Sequence, residues 1–514
     1  MWWLVIILLL VLFLYSHKRL SYFSSRGVQT LPPFPFLGNL TAVTFGRENF
    51  VEAIAAGYNE FKDQRYFGLY QYLVPTLVPK DPELIRQIMV RDFNCFIDRG
   101  VHIGTDCDPF FGRNIIMLTG SRWRTMRSAI TPSFSSARCR SMAPLMAERA
   151  RAVSEYLRTH ITSKKIMDIN EITMPYVNDV IASCAFGFAV DSHKDPENCI
   201  YKLGMKAIVQ DTTQVMKFFG YENMKSIMKM LNVRIIPMEA TDQFSQLFKS
   251  ALKARREKLV QPRPDFIQTL VDVAEGKLKQ EQVNDANNND ESKSSEKITD
   301  DDLVAQAMLF YIAGYDTTTN LINYFLYEMA VNPQVQEKLF EELNKIPGND
   351  KIENIYETVQ GLEYLEMCVC EVLRLWPLVG SADRRSVSRY DFGPTHPGSQ
   401  QNLIAPAGIH IWLPIYSIHR DEKYWPNPNT CDPERFAPDK RGNITPYTYL
   451  PFGTGPRHCI GSRFAVLTAK IFLVNFLRMY KTSAFQKSSR LCPRAFILRP
   501  ANGYDLSVEP RCSF

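Results

Sequence analysis

The stretch Phe452-Gly453-Thr454-Gly455-Pro456-Arg457-His458-Cys459-Ile460-Gly461 decides how this chain is read. Glycines at 453, 455 and 461 let backbone approach a bulky, flat ligand closely. Pro456 stiffens the loop. Cys459 sits among potential backbone N–H donors, which favour a thiolate and make it a competent iron ligand. Arg457 can pair with a carboxylate. A helix is expected after Gly461, so its positive end would face the anionic sulfur. A Gly-rich turn around an inert buried cysteine would use the same residue types. Zinc is disfavoured, because it needs about four clustered ligands and adjacent His458 and Cys459 do not supply that spacing.

Two further groups lie upstream. Glu371-Val372-Leu373-Arg374 puts a carboxylate and a guanidinium three apart on one helix face, among apolar neighbours. Arg435, in Asp432-Pro433-Glu434-Arg435-Phe436, is a natural third member. A plain surface pair at that spacing would contribute only a few tenths of a kcal/mol. Ala313-Gly314-Tyr315-Asp316-Thr317-Thr318 interrupts a helical pattern with Gly and Thr. Gly costs about 1 kcal/mol there, and Thr can turn its hydroxyl to the i−4 carbonyl. An acid next to an alcohol can also relay protons. A weak helix with a polar face is the plainer alternative.

With Trp123-Arg124-Thr125-Met126-Arg127, these motifs run in order from Trp123 to Gly461 and resemble the cytochrome P450 family. There, Phe-x-x-Gly-x-Arg-x-Cys-x-Gly carries the axial thiolate, and every specified position matches. The wording is closest to animal microsomal members, in particular insect members related to vertebrate drug-metabolising enzymes. The resemblance implies a mainly α fold with small β-sheets: a large α-rich lobe, a smaller β-containing lobe and an N-terminal transmembrane anchor helix. It implies haem b (iron protoporphyrin IX) bound by Phe452 and by the metal ligand Cys459. Trp123, Arg127, Arg384 and Arg457 would hold the propionates, with Arg99 a further candidate. Ala313 and Gly314 would leave space over the haem, and Asp316 and Thr317 would route protons to dioxygen. Glu371, Arg374 and Arg435 become a structural triad. Phe110, Phe111, Ile312, Leu378 and Val379 are expected to face substrate, and Met216 to Ile236 to skirt the membrane.

The implied reaction inserts one oxygen atom of O2 into a lipophilic small molecule, xenobiotic or endogenous. No nucleotide-binding fingerprint is present, and 453–461 lacks the Lys-Ser/Thr ending of a phosphate loop. Electrons are therefore expected from NADPH through a separate cytochrome P450 reductase docking on a basic face, with cytochrome b5 as a possible assistant. The competing readings are a haem-thiolate isomerase or dehydratase acting on peroxides, and a non-enzymatic, membrane-tethered haem or lipophile-binding protein. The Asp316-Thr317 pair speaks against the first, and the complete motif set against the second.

The amino terminus is apolar from Met1 to Tyr15, with no charge before Lys18 and Arg19. Fifteen helical residues reach roughly 22 Å, short of a ~30 Å hydrocarbon core. Extension to Tyr22 closes the gap if Lys18 and Arg19 snorkel. No basic region precedes the run and no small-residue cleavage site follows, so a retained anchor is expected over a cleaved signal peptide. The first following charges, Lys18, Arg19 and Arg26, are positive. By the positive-inside rule they put the body on the cytosolic side, and the resemblance to microsomal members implies the endoplasmic reticulum membrane, single-pass and in contact with membrane lipid.

The 514 residues show no interior spacer, so the division expected is 1–22 anchor, 23–38 Pro-rich linker and 39–514 catalytic domain. With 45% hydrophobic and 22% charged residues, collagen, coiled coil and wholesale disorder are excluded. A net charge of +6 is too mild to imply nucleic acid. Eleven cysteines, an odd number without regular spacing, argue for a reducing compartment. Strands are expected at 66–73 and 409–415, long helices at 301–330 and 362–376, and a surface loop at 276–295. The prolines of 31–38 point to a stiff, extended strut.

Overall fold

The computed structural model describes residues 2–207, 212–261, 263, 265–275, 298–347, 354–484 and 490–511. The Asn-rich loop expected at 276–295 lies outside them. The helix Asp300–Val331 organises the larger lobe. It starts where Thr299 accepts from the Asp302 amide while the Asp302 carboxylate accepts from the Thr299 amide, a reciprocal cap. Asp300, Asp301 and Asp302 complement the positive helix end. From Thr318 to Ala330 every residue is buried, as in a helix with protein on all sides. Thr173 and Asn170, from the helix Asn170–Phe186, hydrogen-bond Asn323 at 2.7 Å each. Phe310 meets Phe464 of the helix Ser462–Met479 with ring centroids 5.4 Å apart.

The smaller lobe is built on a four-stranded sheet ordered Tyr66–Gln71, Val74–Pro79, His410–Leu413, Ala382–Arg385. The first and last pairings are antiparallel and the central one parallel, with Leu77 opposite Ile411 and Arg384 opposite Ile411 on its other side. Tyr66, Phe67, Leu77, Ile411 and Trp412 form its core, separate from the helical one. A mainly α, two-lobed body was legible, but strand ends were not. Pro414 cannot continue the ladder, so His410–Leu413 stops there and Ile415 opens a helical turn.

The helix Trp2–Leu20 exposes its apolar side chains from Trp2 to Tyr15. Among the described residues it is the one helix long and apolar enough to cross a membrane. The Pro-rich segment that follows is not straight. Phe34 and Gly38 exchange backbone hydrogen bonds at 2.8 Å across a tight turn, with Phe36 and Gly38 at φ +62° and +59°. A Cβ at Gly38 would lie 2.3 Å from the Tyr70 carbonyl. The Ser16 hydroxyl accepts from the Phe36 amide at 3.0 Å. Asn39 accepts from the Tyr70 amide and donates to the Leu31 carbonyl. Prolines removed the helical option but left a turn open, and this turn ties the N-terminal helix to the sheet.

Glu371 and Arg374, on the helix Glu363–Leu375, form a fully buried, bidentate pair with two contacts of 2.7 Å. Arg374 also donates to the carbonyls of His419 and Pro428 at 2.8 Å and of Thr430 at 3.2 Å. Glu371 accepts from the Asp432 amide at 2.9 Å, and Arg435 Nε lies 3.4 Å away. The triad thus pins an irregular segment that has few ladders of its own. His419, which sequence reasoning passed over, extends it. Its Nε2 accepts from the Leu450 amide at 2.7 Å, so Nδ1–H donates to the Arg374 carbonyl. Burial pushes its pKa down to about 3, so it is neutral. A buried pair broken on one side typically costs 3–5 kcal/mol. Arg374→Lys, which cannot reproduce the fork, should therefore lose about 3 kcal/mol of urea-measured stability. A variant as stable as the parent would contradict the bracing role.

Candidate active site

The Cys459 loop is closed by its own backbone: Cys459 N–H donates to the Phe452 carbonyl at 2.9 Å, and His458 N–H to Gly455 at 3.0 Å. Gly453 and Gly455 lie at φ +71° and +73°, which glycine adopts without strain. At Gly455 a Cβ would stand 2.0 Å from the Met89 carbonyl. The close approach demanded there is to protein backbone, not to a flat ligand. Gly461 has an ordinary φ of −89° and leads into the helix Ser462–Met479. Cys459 is enclosed by protein and yet open at its surface, so it faces an internal space. Burial pushes its thiol up, while the Gly461 and Ser462 amides and the charges of Arg127 and Arg99 pull it down. The helix-end donors expected from the sequence are therefore in place.

Around this loop gather Arg99, Arg384 and Arg457, with Trp123 and Arg127 on the helix Gly120–Ile130. Arg457 lies over the Trp123 ring, 4.3 Å from its centroid, and donates to the Leu118 carbonyl at 2.7 Å. Arg99 pairs with Asp383 at 2.7 Å, and Asp383 also accepts from the Gly100 amide at 2.7 Å. Asp98 is 3.9 Å from Arg457. The Nε atoms of Arg99, Arg384 and Arg457 are buried and find no hydrogen-bond partner among the described residues. Burial, and then repulsion from neighbouring guanidiniums, holds Arg384 and Arg457 well below the usual arginine range. Such crowding is costly unless an anion relieves it. A planar ligand with two carboxylates, set against a cysteine sulfur, fits this donor set.

On the central helix, Ala313 is exposed between half-buried Ile312 and Gly314 and buried Tyr311 and Tyr315, so it too faces internal space. Gly314 does not leave room there: a Cβ on it would meet Ile181 Cδ1 at 3.2 Å, so this glycine serves helix packing. The Thr317 hydroxyl donates to the Ala313 carbonyl at 2.7 Å. The Asp316 carboxylate accepts from Arg499 at 3.1 Å and from Asn320 at 2.9 Å. Of the expected substrate-facing residues, Phe111 joins Phe218 at 5.8 Å, and Phe218 stacks on Phe496 at 6.1 Å. Phe110 is set apart, under the Lys249 ammonium at 5.9 Å. Ile312 and Val379 are half-buried and Leu378 is buried.

Phe496 and Arg499 were not anticipated, and Phe218 was expected only as part of the stretch 216–236, not as a ring partner of Phe111. They carry no local pattern, and their partners lie more than a hundred residues away.

The family profile described as Cytochrome P450 matches residues 28–508. Cytochrome P450 9e2 of Blattella germanica is 34% identical, over 98% of this chain and 96% of that protein. Probable cytochrome P450 6a13 of Drosophila melanogaster is 32% identical, over 98% of each chain. Lithocholate 6-beta-hydroxylase of Mesocricetus auratus is 29% identical, over 99% of this chain and 96% of that protein. The chain belongs to the cytochrome P450 family: it is a haem-thiolate monooxygenase that uses haem b and draws electrons from NADPH through a separate reductase.

Proposed function

We propose that the chain hydroxylates lipophilic small molecules at the space between Cys459 and Ala313, with each site residue in the role set out below. The observation that carries this is the crowd of buried, under-partnered guanidiniums beside Cys459. Haem b, when bound, supplies the iron that activates dioxygen, and thiolate ligation favours O–O cleavage. Arg99, Arg127, Arg384 and Arg457 would hold the propionates by charge-assisted bonds, and Trp123, under the Arg457 guanidinium, keeps that side chain in place. Cys459 would ligate the iron through its thiolate, and Phe452 would shield its loop. The net reaction is RH + O2 + NADPH + H+ giving ROH + H2O + NADP+. Asp316 and Thr317 supply protons. The Thr317 hydroxyl, now donating to Ala313, must rotate off that carbonyl to donate inward. Phe111, Ile312, Leu378 and Val379 shape the apolar side of the space, and the ring Phe111–Phe218–Phe496 roofs it. Phe110 serves at its outer edge.

The anchor occupies residues 1–22, the docked linker 23–38 and the catalytic body 39–514. The anchor holds the body on the cytosolic face of the endoplasmic reticulum, where the reductase, and cytochrome b5 as an accessory donor, reach it. Met224, Ile227, Met230 and Leu231 are exposed beside Lys225 and Lys229. Apolar side chains interleaved with lysines suit the headgroup boundary of a bilayer, which makes this stretch a second lipid contact. The substrate class is xenobiotic or endogenous lipophile, and one relative is named for the 6-beta-hydroxylation of lithocholate.

Two outcomes test these roles. Thr317→Ala should cut product formed per NADPH consumed at least ~10-fold with any accepted substrate, since positioned proton transfer contributes ~10²–10⁴. Unchanged coupling would remove Thr317 from the relay. For orientation, the sequon at Asn39 says nothing, because its side chain is engaged at 2.7 and 3.0 Å. The sequon at Asn443 is exposed and informative. It should stay unglycosylated in microsomes and gain a glycan when a cleavable signal sequence forces translocation. A glycan on the native chain would reverse the orientation.

A further inference from the structure

An acid in the wall of a buried helix relays protons only if something keeps it ionisable and aimed. Asp316 has two side-chain partners. Asn320, one turn on, donates to its Oδ1 at 2.9 Å and to its backbone carbonyl at 2.8 Å. Arg499 Nη2 lies 3.1 Å from Oδ2 and 3.4 Å from Oδ1. Tyr504 donates to Asn320 Oδ1 at 2.8 Å, which orients the amide toward Asp316. Arg499 and Tyr504 both come from the carboxyl-terminal segment, so one segment sets both partners of the acid. The Nε of Arg499 is buried and without a hydrogen-bond partner among the described residues. Its charge is therefore answered at the Asp316 carboxylate.

The same segment reaches the substrate space. Phe496, three residues before Arg499, stacks on Phe218, and Leu498 N–H donates to the Leu378 carbonyl at 3.0 Å. Arg499 is also tied back, its carbonyl accepting from the Cys492 amide at 2.8 Å. We propose that Arg499 is a positioning residue for proton delivery: it holds Asp316 as an aimed carboxylate from the strand of chain that lines the substrate space. The proposal rests on the relay reading of Asp316.

The groups facing Asp316 are Arg499 and Tyr504 from that segment and Tyr315 on its own helix. Burial pushes the Asp316 carboxyl up, and Arg499, then Asn320, pulls it down. Both tyrosines are pushed up by burial and stay neutral. In each delivery Asp316 takes one proton from solvent and passes one inward, while Arg499 keeps its own protons throughout. Loss of the guanidinium leaves burial less opposed, so the protonated form persists to higher pH. An opposite charge at this range is worth about 1–3 pH units.

The test uses the membrane-anchored holoenzyme with its reductase. Coupling of NADPH use to product is followed against pH, and the infrared carboxyl stretch of the ferric resting protein is recorded in parallel. Arg499→Gln should move the acid limb of coupling upward by about one unit or more, with a protonated-carboxyl band that disappears on adding Asp316→Asn. Arg499→Lys should restore both signals toward the parent. If Arg499→Gln fails to hold haem, Arg499→Met keeps the stem volume without the charge and is read the same way. A limb that is lost in Asp316→Asn but unmoved without the guanidinium overturns the proposal alone. A limb that survives Asp316→Asn overturns the relay reading, and the proposal with it.

Discussion

An anionic sulfur inside a protein costs several kcal/mol unless donors and cations surround it. The architecture around Cys459 answers that cost. The loop folds back through the Phe452 carbonyl, the next helix starts three residues on at Ser462, and the Gly461 and Ser462 amides face the sulfur. Arg127 and Arg99 add charge of the right sign. What remains is an excess of guanidinium over carboxylate, buried and incompletely bonded. A dianionic cofactor held by these guanidiniums would remove that excess, and its binding would then be linked to folding of this region.

Holding such a site requires rigid surroundings, and the chain builds them from irregular backbone as well as from helices. Segment 419–450 contains only short turns of helix. It is held by side chains: Arg374 on three of its carbonyls, Glu371 on the Asp432 amide, and His419 between Arg374 and Leu450. Each group carries several bonds, so loss of one leaves several buried polar atoms unmatched. The central helix plays the opposite role. Half of it is locked among other helices, and Ala313 with Thr317 opens toward internal space.

Legibility followed sequence distance. The cysteine loop, the Glu371–Arg374 pair and the Asp316–Thr317 pair each lie within one loop or one helical turn, and local spacing shows them. The helical character of 301–330 was equally local. Partners contributed from afar were not visible. Arg499 is 183 residues from Asp316, and no periodicity links them. Glycine was the other limit. Its permissiveness is plain in a sequence, but what it makes room for is not. Gly455 admits the Met89 carbonyl and Gly314 admits Ile181, where a ligand had been expected at both. Proline likewise excludes helix without choosing between a strut and the turn found at 34–38.

The central claim is that Cys459 ligates haem iron as a thiolate. It is tested most directly by the difference spectrum of the dithionite-reduced protein with and without carbon monoxide. A thiolate ligand gives a Soret band shifted strongly to the red of a histidine-ligated haem, and Cys459→Ala should abolish that band. A folded, haem-containing parent protein without the red-shifted band, or a Cys459→Ala variant that keeps it, would contradict the account.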